Sequence, residues 1–178
     1  MFSMYRMKPP VQATPAKTTT PAKKAKRPRI QVRSSGVHGK GVFALEPIEP
    51  GQVIIEYVGE LIDDDEAERR HPRDPQDPDH IFYFSVAGGK IIDAFYGGNA
   101  ARWINHACNP NCEADETDEG RVFIKALRPI APGEELNYSY GLFLDERYTP
   151  ALKKRYACRC GAAECTGTML APKTRKRR

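Results

Sequence analysis

The five cysteines of this sequence all lie in its C-terminal half, and three of them are grouped in Cys158-Arg-Cys-Gly-Ala-Ala-Glu-Cys165. Thiolates at this spacing are typical ligands of structural zinc, which takes four ligands in a tetrahedron. Spacing alone leaves the fourth ligand open among Cys108, Cys112 and His106. An odd number of cysteines, without an apolar signal segment at the N-terminus, argues against a secreted disulfide framework. The sequence therefore predicts a zinc site in a reducing compartment, and the alternative is a group of unliganded surface thiols.

Two other segments carry polar side chains of the kinds that surround ligands. Asn105-His-Ala-Cys-Asn-Pro-Asn111 is rich in Asn and contains a Pro, which predicts a tight, hydrogen-bonded loop beside a ligand. Tyr138 and Tyr140 are two positions apart, so on a strand they would lie on one face. Taken singly, His106 is more typical of a structural histidine, and the tyrosine pair of half-buried β packing. Only their combination indicates a site.

The segments that must position these residues are predicted to be short strands and two short helices. Strand-like runs occur at residues 30–33, 53–58, 81–86, 90–93, 121–127 and 135–140. Residues 63–70 place acids first and arginines last, as a helix dipole favours, and residues 149–156 form the second predicted helix. Three glycines within residues 35–44 predict a turn with close backbone approach, and the proline-rich stretch 71–80 predicts a loop. The predicted fold class is mainly β, within α+β.

Charge is segregated along the chain, whose formal net charge is +5. Residues 1–30 contain eight basic and no acidic residues, and residues 172–178 contain five basic residues and no acid. Residues 31–171 hold 15 basic against 23 acidic residues, a net charge of −8. The sequence therefore predicts an acidic domain between two disordered basic tails, which either aid solubility or contact nucleic acid. No apolar run approaches the roughly 18 residues of a membrane span, so no membrane contact is expected.

Five segments resemble, in order, the motifs of the SET-domain protein lysine methyltransferases. They are Ser35-Gly-Val-His-Gly-Lys-Gly-Val-Phe-Ala44, Glu56-Tyr-Val-Gly-Glu60, Arg102-Trp-Ile-Asn-His-Ala-Cys-Asn-Pro-Asn-Cys112, Glu134-Glu-Leu-Asn-Tyr-Ser-Tyr-Gly141 and the Cys158 to Cys165 segment. The last resembles the post-SET zinc motif, whereas no cysteine precedes Cys108 where some members carry a pre-SET module. The chain is therefore similar to compact, bacterial- or viral-type members of the family.

The resemblance implies a domain plan and a fold. It places a SET domain at residues 31–145 and a post-SET zinc-binding segment at residues 146–171, with basic tails at 1–30 and 172–178. The implied fold is a β-clip of small β-sheets, in which the last strand and the Asn105-His106 loop form a C-terminal pseudoknot. In this family the cysteine after Asn-His-x joins the three C-terminal ones, so structural zinc would be bound by Cys108, Cys158, Cys160 and Cys165. Cys112 would then be spare.

The resemblance also implies an activity, which is methyl transfer from S-adenosyl-L-methionine to a protein lysine. Tyr140 would be the catalytic tyrosine, Tyr57 would line the lysine channel, and the Tyr138 hydroxyl would limit the product to mono- or dimethyl-lysine. A buried channel would help because desolvation lowers the pKa of a lysine, ordinarily about 10.4. The implied cofactor-binding residues are His38, Gly39, Lys40, Phe82, Arg102, Asn105, His106, Tyr140, Arg159 and Met169. Phe82 stands where many members have a Tyr.

The substrate class is expected from charge, and the location from the resemblance to compact members of the family. The acidic stretches at residues 63–68 and 113–119 suit a Lys/Arg-rich tail of a histone or histone-like DNA-binding protein. The expected location is intracellular, in a bacterial nucleoid or in a nucleus, including a host nucleus if the protein is exported. Automethylation of the N-terminal lysines Lys17, Lys23, Lys24 and Lys26 is a further hypothesis. The alternatives are a basic-tailed nucleic-acid-binding zinc module without catalysis and an inactive cofactor-binding scaffold.

Overall fold

Short β-strands dominate the computed structural model, which describes residues 6–7, 29–71 and 81–173, with side chains from residue 29 onward. The strands are β1 (Arg6–Met7), β2 (Ile30–Ser34), β3 (Lys40–Ala44), β4 (Val53–Tyr57), β5 (Glu60–Ile62), β6 (Tyr83–Val86), β7 (Lys90–Asp93), β8 (Asn105–His106), β9 (Cys112–Glu116), β10 (Val122–Ala126), β11 (Glu135–Tyr138) and β12 (Leu142–Phe143). The helices are α1 (Asp64–Arg70) and α2 (Pro150–Arg155). Within these residues no helix is long and apolar enough to cross a membrane. The predicted mainly β fold is confirmed.

The strands form small separate sheets rather than one large sheet. Their orders are β2-β3-β11-β8, β4-β10-β9, β5-β7-β6 and β1-β12. The pairing of β8 with β11 is parallel, with Asn137 opposite Asn105 and Tyr138 opposite His106, whereas the other strand pairs are antiparallel. The expected pseudoknot requires this parallel contact. It places the Asn105-His106 segment beside the Asn137-Tyr138 segment.

The core lies between the sheets, and alternation along the strands fills it. On β10, Val122, Ile124 and Ala126 are buried while the residues between them are partly exposed, as expected for a strand with one face inward. A smaller cluster joins the end of the predicted SET domain to the C-terminal segment. Its members are Leu142, Leu144, Leu152, Tyr156 and Leu170. Residues on both sides of the expected boundary at position 145 therefore share one apolar cluster.

The predicted helices are confirmed, and their capping residues explain where they begin. The Asp63 carboxylate accepts a hydrogen bond from the Glu66 backbone N–H at 2.9 Å, and the Thr149 hydroxyl accepts one from the Leu152 N–H at 3.1 Å. Strand β11 ends at Tyr138, so Tyr140, which the sequence placed on a strand of residues 135–140, lies beyond the end of the observed strand. The loop predicted at 71–80 lies outside the described residues except for position 71.

The N-terminal segment differs from the expected disordered tail at one point. Arg6–Met7 forms β1, although residues 1–5 and 8–28 lie outside the described residues. Pairing through backbone groups requires no apolar side chains, so composition alone did not predict it. The other predicted tail begins at residue 172, of which residues 174–178 also lie outside the described part of the chain.

Arg70 links helix α1 to the sheet of β5, β7 and β6 through hydrogen bonds and ion pairs. Its guanidinium donates to Glu66 on its own helix at 2.7 Å, to Glu60 on β5 at 2.9 Å and to Asp93 on β7 at 2.9 Å. Asp93 is fully buried, so an arginine within reach offsets the cost of burying its charge. The last turn of a short helix is thereby fixed on the strands beside the aromatic site described below.

Gly59 provides a test of this packing. A Cβ built on Gly59 would meet the backbone carbonyl oxygen of Asp93 at 2.5 Å, and backbone cannot yield as a side chain can. We expect Gly59→Ala to lower the free energy of unfolding by about 1–3 kcal/mol, measured by urea denaturation. The matched control is Gly36→Ala, because a Cβ at Gly36 meets nothing within 4 Å, and its effect should stay below about 1 kcal/mol. Equal effects of the two substitutions would contradict the packing at Gly59.

Candidate active site

A cavity of about 360 Å³ lies where the glycine-rich loop, the 102–106 segment and the C-terminal segment meet. This volume is within the usual range of small-molecule sites, about 300–1,000 Å³. Its lining comprises Val37, His38, Lys40, Ile81, Phe82, Arg102, Trp103, Asn105, His106, Tyr140, Lys154, Arg155, Ala157, Cys158, Arg159 and Met169. Of the predicted cofactor-binding residues, Gly39 is the one outside this lining. It turns the loop behind His38 with a φ of +45°, which favours glycine.

Asn105 fixes the glycine-rich loop against β11. Its side-chain amide is buried and donates to the Lys40 carbonyl at 2.9 Å and to the Glu135 carboxylate at 2.8 Å. The Ser35 hydroxyl donates to both oxygens of the same carboxylate, at 2.8 and 2.9 Å. The loop, the β8 strand and the β11 strand are therefore joined by one polar network under the cavity floor.

Asn111 performs the same role at the other end of its loop. It is fully buried, and its backbone N–H donates to the Asn137 side chain at 3.0 Å while its own side chain accepts from the Asn137 N–H at 2.9 Å. Its amide also donates to the Glu135 carbonyl at 2.8 Å. The prediction of a tight, hydrogen-bonded loop is confirmed, and the asparagines are its cause.

His106 connects the cavity to the last turn of chain before β12. Its Nδ1 accepts a hydrogen bond from the Tyr140 N–H at 3.1 Å, which leaves the proton of the neutral ring on Nε2. That Nε2 lies 3.6 Å from the Cys108 sulfur. Burial lowers the pKa of His106 to about 4, so the ring is neutral near pH 7. The histidine thus holds the Tyr140 backbone in place.

Three tyrosines follow one another next to the cavity, of which Tyr57 and Tyr138 are buried and Tyr140 is partly buried. The ring of Tyr140, which lines the cavity, is 5.1 Å from the ring of Tyr138, and the Phe84 ring lies between Tyr138 and Tyr57 at 6.4 and 5.3 Å. The Tyr140 hydroxyl donates to the Ile104 carbonyl at 2.9 Å, and the Tyr57 hydroxyl donates to the Phe82 carbonyl at 3.0 Å. Burial raises the pKa of all three phenols well above the ordinary value. They are neutral hydroxyls at physiological pH.

Aromatic and cationic side chains form one wall of the cavity. Phe82 packs edge-on against Trp103 with ring centroids 4.9 Å apart, and the Lys40 ammonium and the Arg102 guanidinium lie over the Trp103 ring at 4.6 and 4.9 Å. Arg102 donates through one Nη to the Ala94 carbonyl at 3.0 Å. Its Nε is buried and has no hydrogen-bond partner among the described residues, so a ligand anion would satisfy it.

Four cysteines come together beside this cavity. The sulfurs of Cys108, Cys158, Cys160 and Cys165 all lie within 4.8 Å of one another. The Cys108 sulfur is 3.7 Å from that of Cys158 and 3.9 Å from that of Cys165. Four thiolates about 2.3 Å from a tetrahedral zinc ion would be about 3.8 Å apart, so the group fits that metal.

The structure also favours Cys108 over Cys112 and His106 as the fourth member of the cysteine group. Cys112 is fully buried away from the cluster, and burial raises the pKa of its thiol to about 12. The Nδ1 atom of His106 already accepts a hydrogen bond from the Tyr140 backbone N–H, and His106 is not part of the cysteine group. Among the described residues the metal-competent group is therefore the four-cysteine one that the resemblance implied.

Several lining residues were not predicted from the sequence. Trp103 stands directly after Arg102 in the Arg102-to-Cys112 motif, and an aromatic residue beside a cation there is a signal that could have predicted its place in the lining. Lys154 and Arg155 reach the cavity from the end of α2, which no local pattern indicates. Glu135 supports Asn105 without lining the cavity, and its place in the Glu134-to-Gly141 motif did not predict that role.

Comparison with known proteins identifies the family. The family model described as the SET domain matches residues 39–141. This chain belongs to the SET domain family. The matched range contains the glycine loop from Gly39, the Asn105-His106 segment and all three tyrosines, whereas three of the four clustered cysteines lie beyond it.

The relatives of this SET domain are histone-lysine methyltransferases by name. The histone-lysine N-methyltransferase, H3 lysine-4 specific, of Eremothecium gossypii is 43% identical over 148 residues, covering 81% of this chain and 15% of that protein. The histone-lysine N-methyltransferase set1 of Dictyostelium discoideum is 38% identical over 142 residues, covering 76% of this chain and 9% of that protein. The SET domain chain thus spans a small part of the curated relatives it matches.

Solved structures of polycomb repressive complex 2 contain the same SET domain fold. The ctPRC2 structure in an autoinhibited conformation, bound to S-adenosylmethionine, matches with a TM-score of 0.60 and 35% identity over 65% of this chain and 15% of that one. The crystal structure of the Chaetomium thermophilum complex matches with a TM-score of 0.61 and 32% identity over 71% of this chain and 16% of that one. The predicted family and fold are confirmed.

The Asn105 network makes a direct prediction about stability. Replacing Asn105 with Ala leaves the Lys40 carbonyl and the Glu135 carboxylate without their buried donor. We expect a loss of about 2–4 kcal/mol in the free energy of unfolding, measured by urea denaturation. Asn109→Ala in the same loop is the control, because the hydrogen bond from the Asn109 side chain to Glu164 is exposed and 3.5 Å long, and its loss should cost less than about 0.5 kcal/mol. An Asn105 variant as stable as the Asn109 variant would contradict the role of the network.

Proposed function

We propose that this protein is an S-adenosylmethionine-dependent protein-lysine N-methyltransferase. The observation that carries the proposal is that Tyr140 both lines the ligand-sized cavity and packs against the buried Tyr138 at the end of the tyrosine row. The cavity suits a small cofactor, and the tyrosine row suits the end of a long side chain such as that of lysine. The names of the relatives and the cofactor named in the ctPRC2 structure support the same activity.

The cavity fits the proposed methyl donor by its chemistry. The unpartnered Nε of Arg102 suits the carboxylate of an amino-acid moiety, and the Asn105-His106 segment offers backbone polar groups beside it. We assign donor binding to the predicted set with Trp103 added, and we assign Gly39 the shaping of the loop. When bound, S-adenosylmethionine would supply a methyl group on a positively charged sulfur.

The tyrosines would prepare the lysine amine. Because the hydroxyls of Tyr140 and Tyr57 already donate to backbone carbonyls, their oxygens can only accept further hydrogen bonds, such as those of an amine. Neutral phenols of raised pKa cannot act as bases, so the amine must lose its proton through desolvation. Removing that proton near neutral pH costs roughly 4–5 kcal/mol in water, and a buried aromatic channel reduces this cost.

Tyr138 would set how many methyl groups fit. It is 3% exposed, and its ring contacts that of Tyr140, so its hydroxyl occupies space beside the proposed amine position. A methylated amine is larger and needs that space. We propose mono- or dimethyl-lysine as the product.

The four-cysteine group would hold structural zinc. Cys108 follows His106 by two positions and the other three ligands come from the C-terminal segment, so the metal would tie that segment to the floor of the cavity. We propose that zinc fixes the C-terminal residues that line the cavity, Arg159 and Met169 among them.

The substrate we propose is a Lys/Arg-rich tail of a histone or a histone-like DNA-binding protein, which places the protein on chromatin or a nucleoid. The naming of the relatives supports this class. Part of the acidic surface is already neutralised within the protein, since Glu66 forms ion pairs with Arg69 and Arg70. The alternative of a nucleic-acid-binding zinc module without catalysis is not favoured, because it leaves the tyrosine row and the cavity without a purpose.

The catalytic assignment predicts a specific kinetic defect. Tyr140→Phe removes one hydroxyl and keeps the ring, so we expect kcat for lysine methylation to fall about a hundredfold or more while S-adenosylmethionine binding stays within about threefold. Mass spectrometry of a methylated peptide measures the rate, and isothermal titration measures binding.

Tyr138→Phe is the matched control for that experiment. It removes the neighbouring hydroxyl, and we expect retention of the rate together with a shift of the product towards trimethyl-lysine. A normal rate for the Tyr140 variant would contradict the catalytic role, and trimethyl-lysine as the main product of the unmodified protein would contradict the role of Tyr138.

The zinc assignment predicts the metal content of two cysteine variants. We expect one zinc per chain by plasma mass spectrometry after purification under reducing conditions, and its loss in Cys160→Ser because a tetrahedral site needs all four thiolates. Cys112→Ala is the control and should keep its zinc, since Cys112 lies outside the cluster. Metal-free unmodified protein, or loss of zinc in the Cys112 variant, would overturn the assignment.

A further inference from the structure

The N-terminal segment of the chain pairs with a strand beside the proposed active site. Arg6 lies opposite Phe143 and Met7 opposite Leu142 in an antiparallel arrangement, so β1 and β12 form a two-stranded sheet. The same segment also contacts β6. A pair of residues at the start of the sequence is thus docked between two strands that are distant from it in the chain.

Both of these strands adjoin the tyrosine row. Strand β12 begins at Leu142, two positions after Tyr140, and β6 begins at Tyr83, directly after the residue whose carbonyl accepts the Tyr57 hydroxyl. The segment β1, paired with β12 and in contact with β6, therefore lies on the two strands that adjoin the tyrosine-bearing segments. An extended peptide on the same strands would be close to the tyrosines.

The opposite side of β12 is already in use. Leu142 forms a parallel bridge with Leu170, and its carbonyl accepts the Ala171 N–H at 2.7 Å. The side taken by β1 is therefore the one open to an added strand in the described part of the chain. A strand edge binds extended peptides through backbone hydrogen bonds with little regard to side chains, so the occupant of this edge is set by local concentration as much as by sequence.

We propose that the Arg6–Met7 segment is an internal competitor that occupies the peptide-docking edge of β12 and must leave before a substrate peptide can bind. The competition rests on the proposed function, whereas the docking itself does not. The surrounding sequence, Tyr5-Arg-Met-Lys8, has the basic character expected of the substrate. If nine molecules in ten hold the segment docked, the apparent affinity for an external peptide falls about tenfold.

The experiment uses the full chain with Arg6→Pro and Met7→Pro together. Proline has no backbone N–H and resists strand pairing, so the double variant frees the edge of β12. The matched control is Arg6→Ala with Met7→Ala, which removes the same side chains and keeps both N–H groups. The first probe is a fluorescent peptide of residues 1–12 of this chain, which needs neither cofactor nor turnover.

We expect this peptide to bind the proline variant about tenfold more tightly than the unmodified protein or the alanine control. Amide hydrogen exchange in residues 141–144 should be faster in the proline variant without the peptide. Equal binding by all three proteins, or equal gains in both variants, would overturn the docking.

The second readout tests competition. The KM for a Lys/Arg-rich histone-tail peptide should fall about tenfold in the proline variant with kcat unchanged, and should not change in the alanine control. An active enzyme with the same KM in all three proteins would overturn the competition. Absence of methyl transfer in all three, with tight peptide binding by the proline variant, would instead count against the proposed function and leave the docking supported.

Discussion

The buried amide of Asn105 is the interaction on which the rest of the site depends. It joins the glycine-rich loop, through the Lys40 carbonyl, to strand β11, through the Glu135 carboxylate. These segments are far apart in sequence, and β8 meets β11 over only two residue pairs. Two residue pairs of parallel strand pairing contribute little stability by themselves. The side-chain hydrogen bonds of Asn105 must therefore hold β8 against β11. The next residue, His106, can then bind the Tyr140 backbone and set the position of that ring.

Burial gives the site its chemical character. The tyrosine hydroxyls are neutral and donate to backbone carbonyls, so they present oxygen acceptors in place of charge. Under the proposed function, a cationic amine bound there would be stabilised only through those acceptors, and desolvation would favour loss of its proton. The cysteine cluster adjoins the same segment, since Cys108 follows His106. The position of the Tyr140 backbone and the contact with the C-terminal cysteines are therefore linked through residues 106–108 of one loop.

Local features of the fold could be predicted from the sequence because their causes are local. Asp63 and Thr149 cap helices at the expected places, and the alternation on β10 follows from one buried face. Part of the lining of the cavity was predicted by motif resemblance, which carries tertiary information that spacing lacks. Spacing alone could not choose Cys108 as the fourth thiolate, because the choice depends on how the C-terminal segment folds back.

The features that the sequence did not predict depend on long-range contacts. The carboxylate of Glu135 supports Asn105 only because β11 lies beside β8, and no pattern within either strand indicates that neighbour. Lys154 and Arg155 reach the cavity through the packing of α2. Arg6–Met7 lies within the first thirty residues, whose overall composition predicted disorder, yet the backbone edge of β12 gives it a partner.

The central claim is that this fold transfers a methyl group to lysine, and one measurement tests it most directly. The full-length protein is incubated with S-adenosylmethionine carrying a heavy-isotope methyl group and with purified histones, and the proteins are sequenced by mass spectrometry. The account predicts heavy mono- or dimethyl groups on the Nζ of defined histone lysines. Protein that binds the cofactor and carries its zinc, yet places no heavy methyl on any lysine, would contradict it.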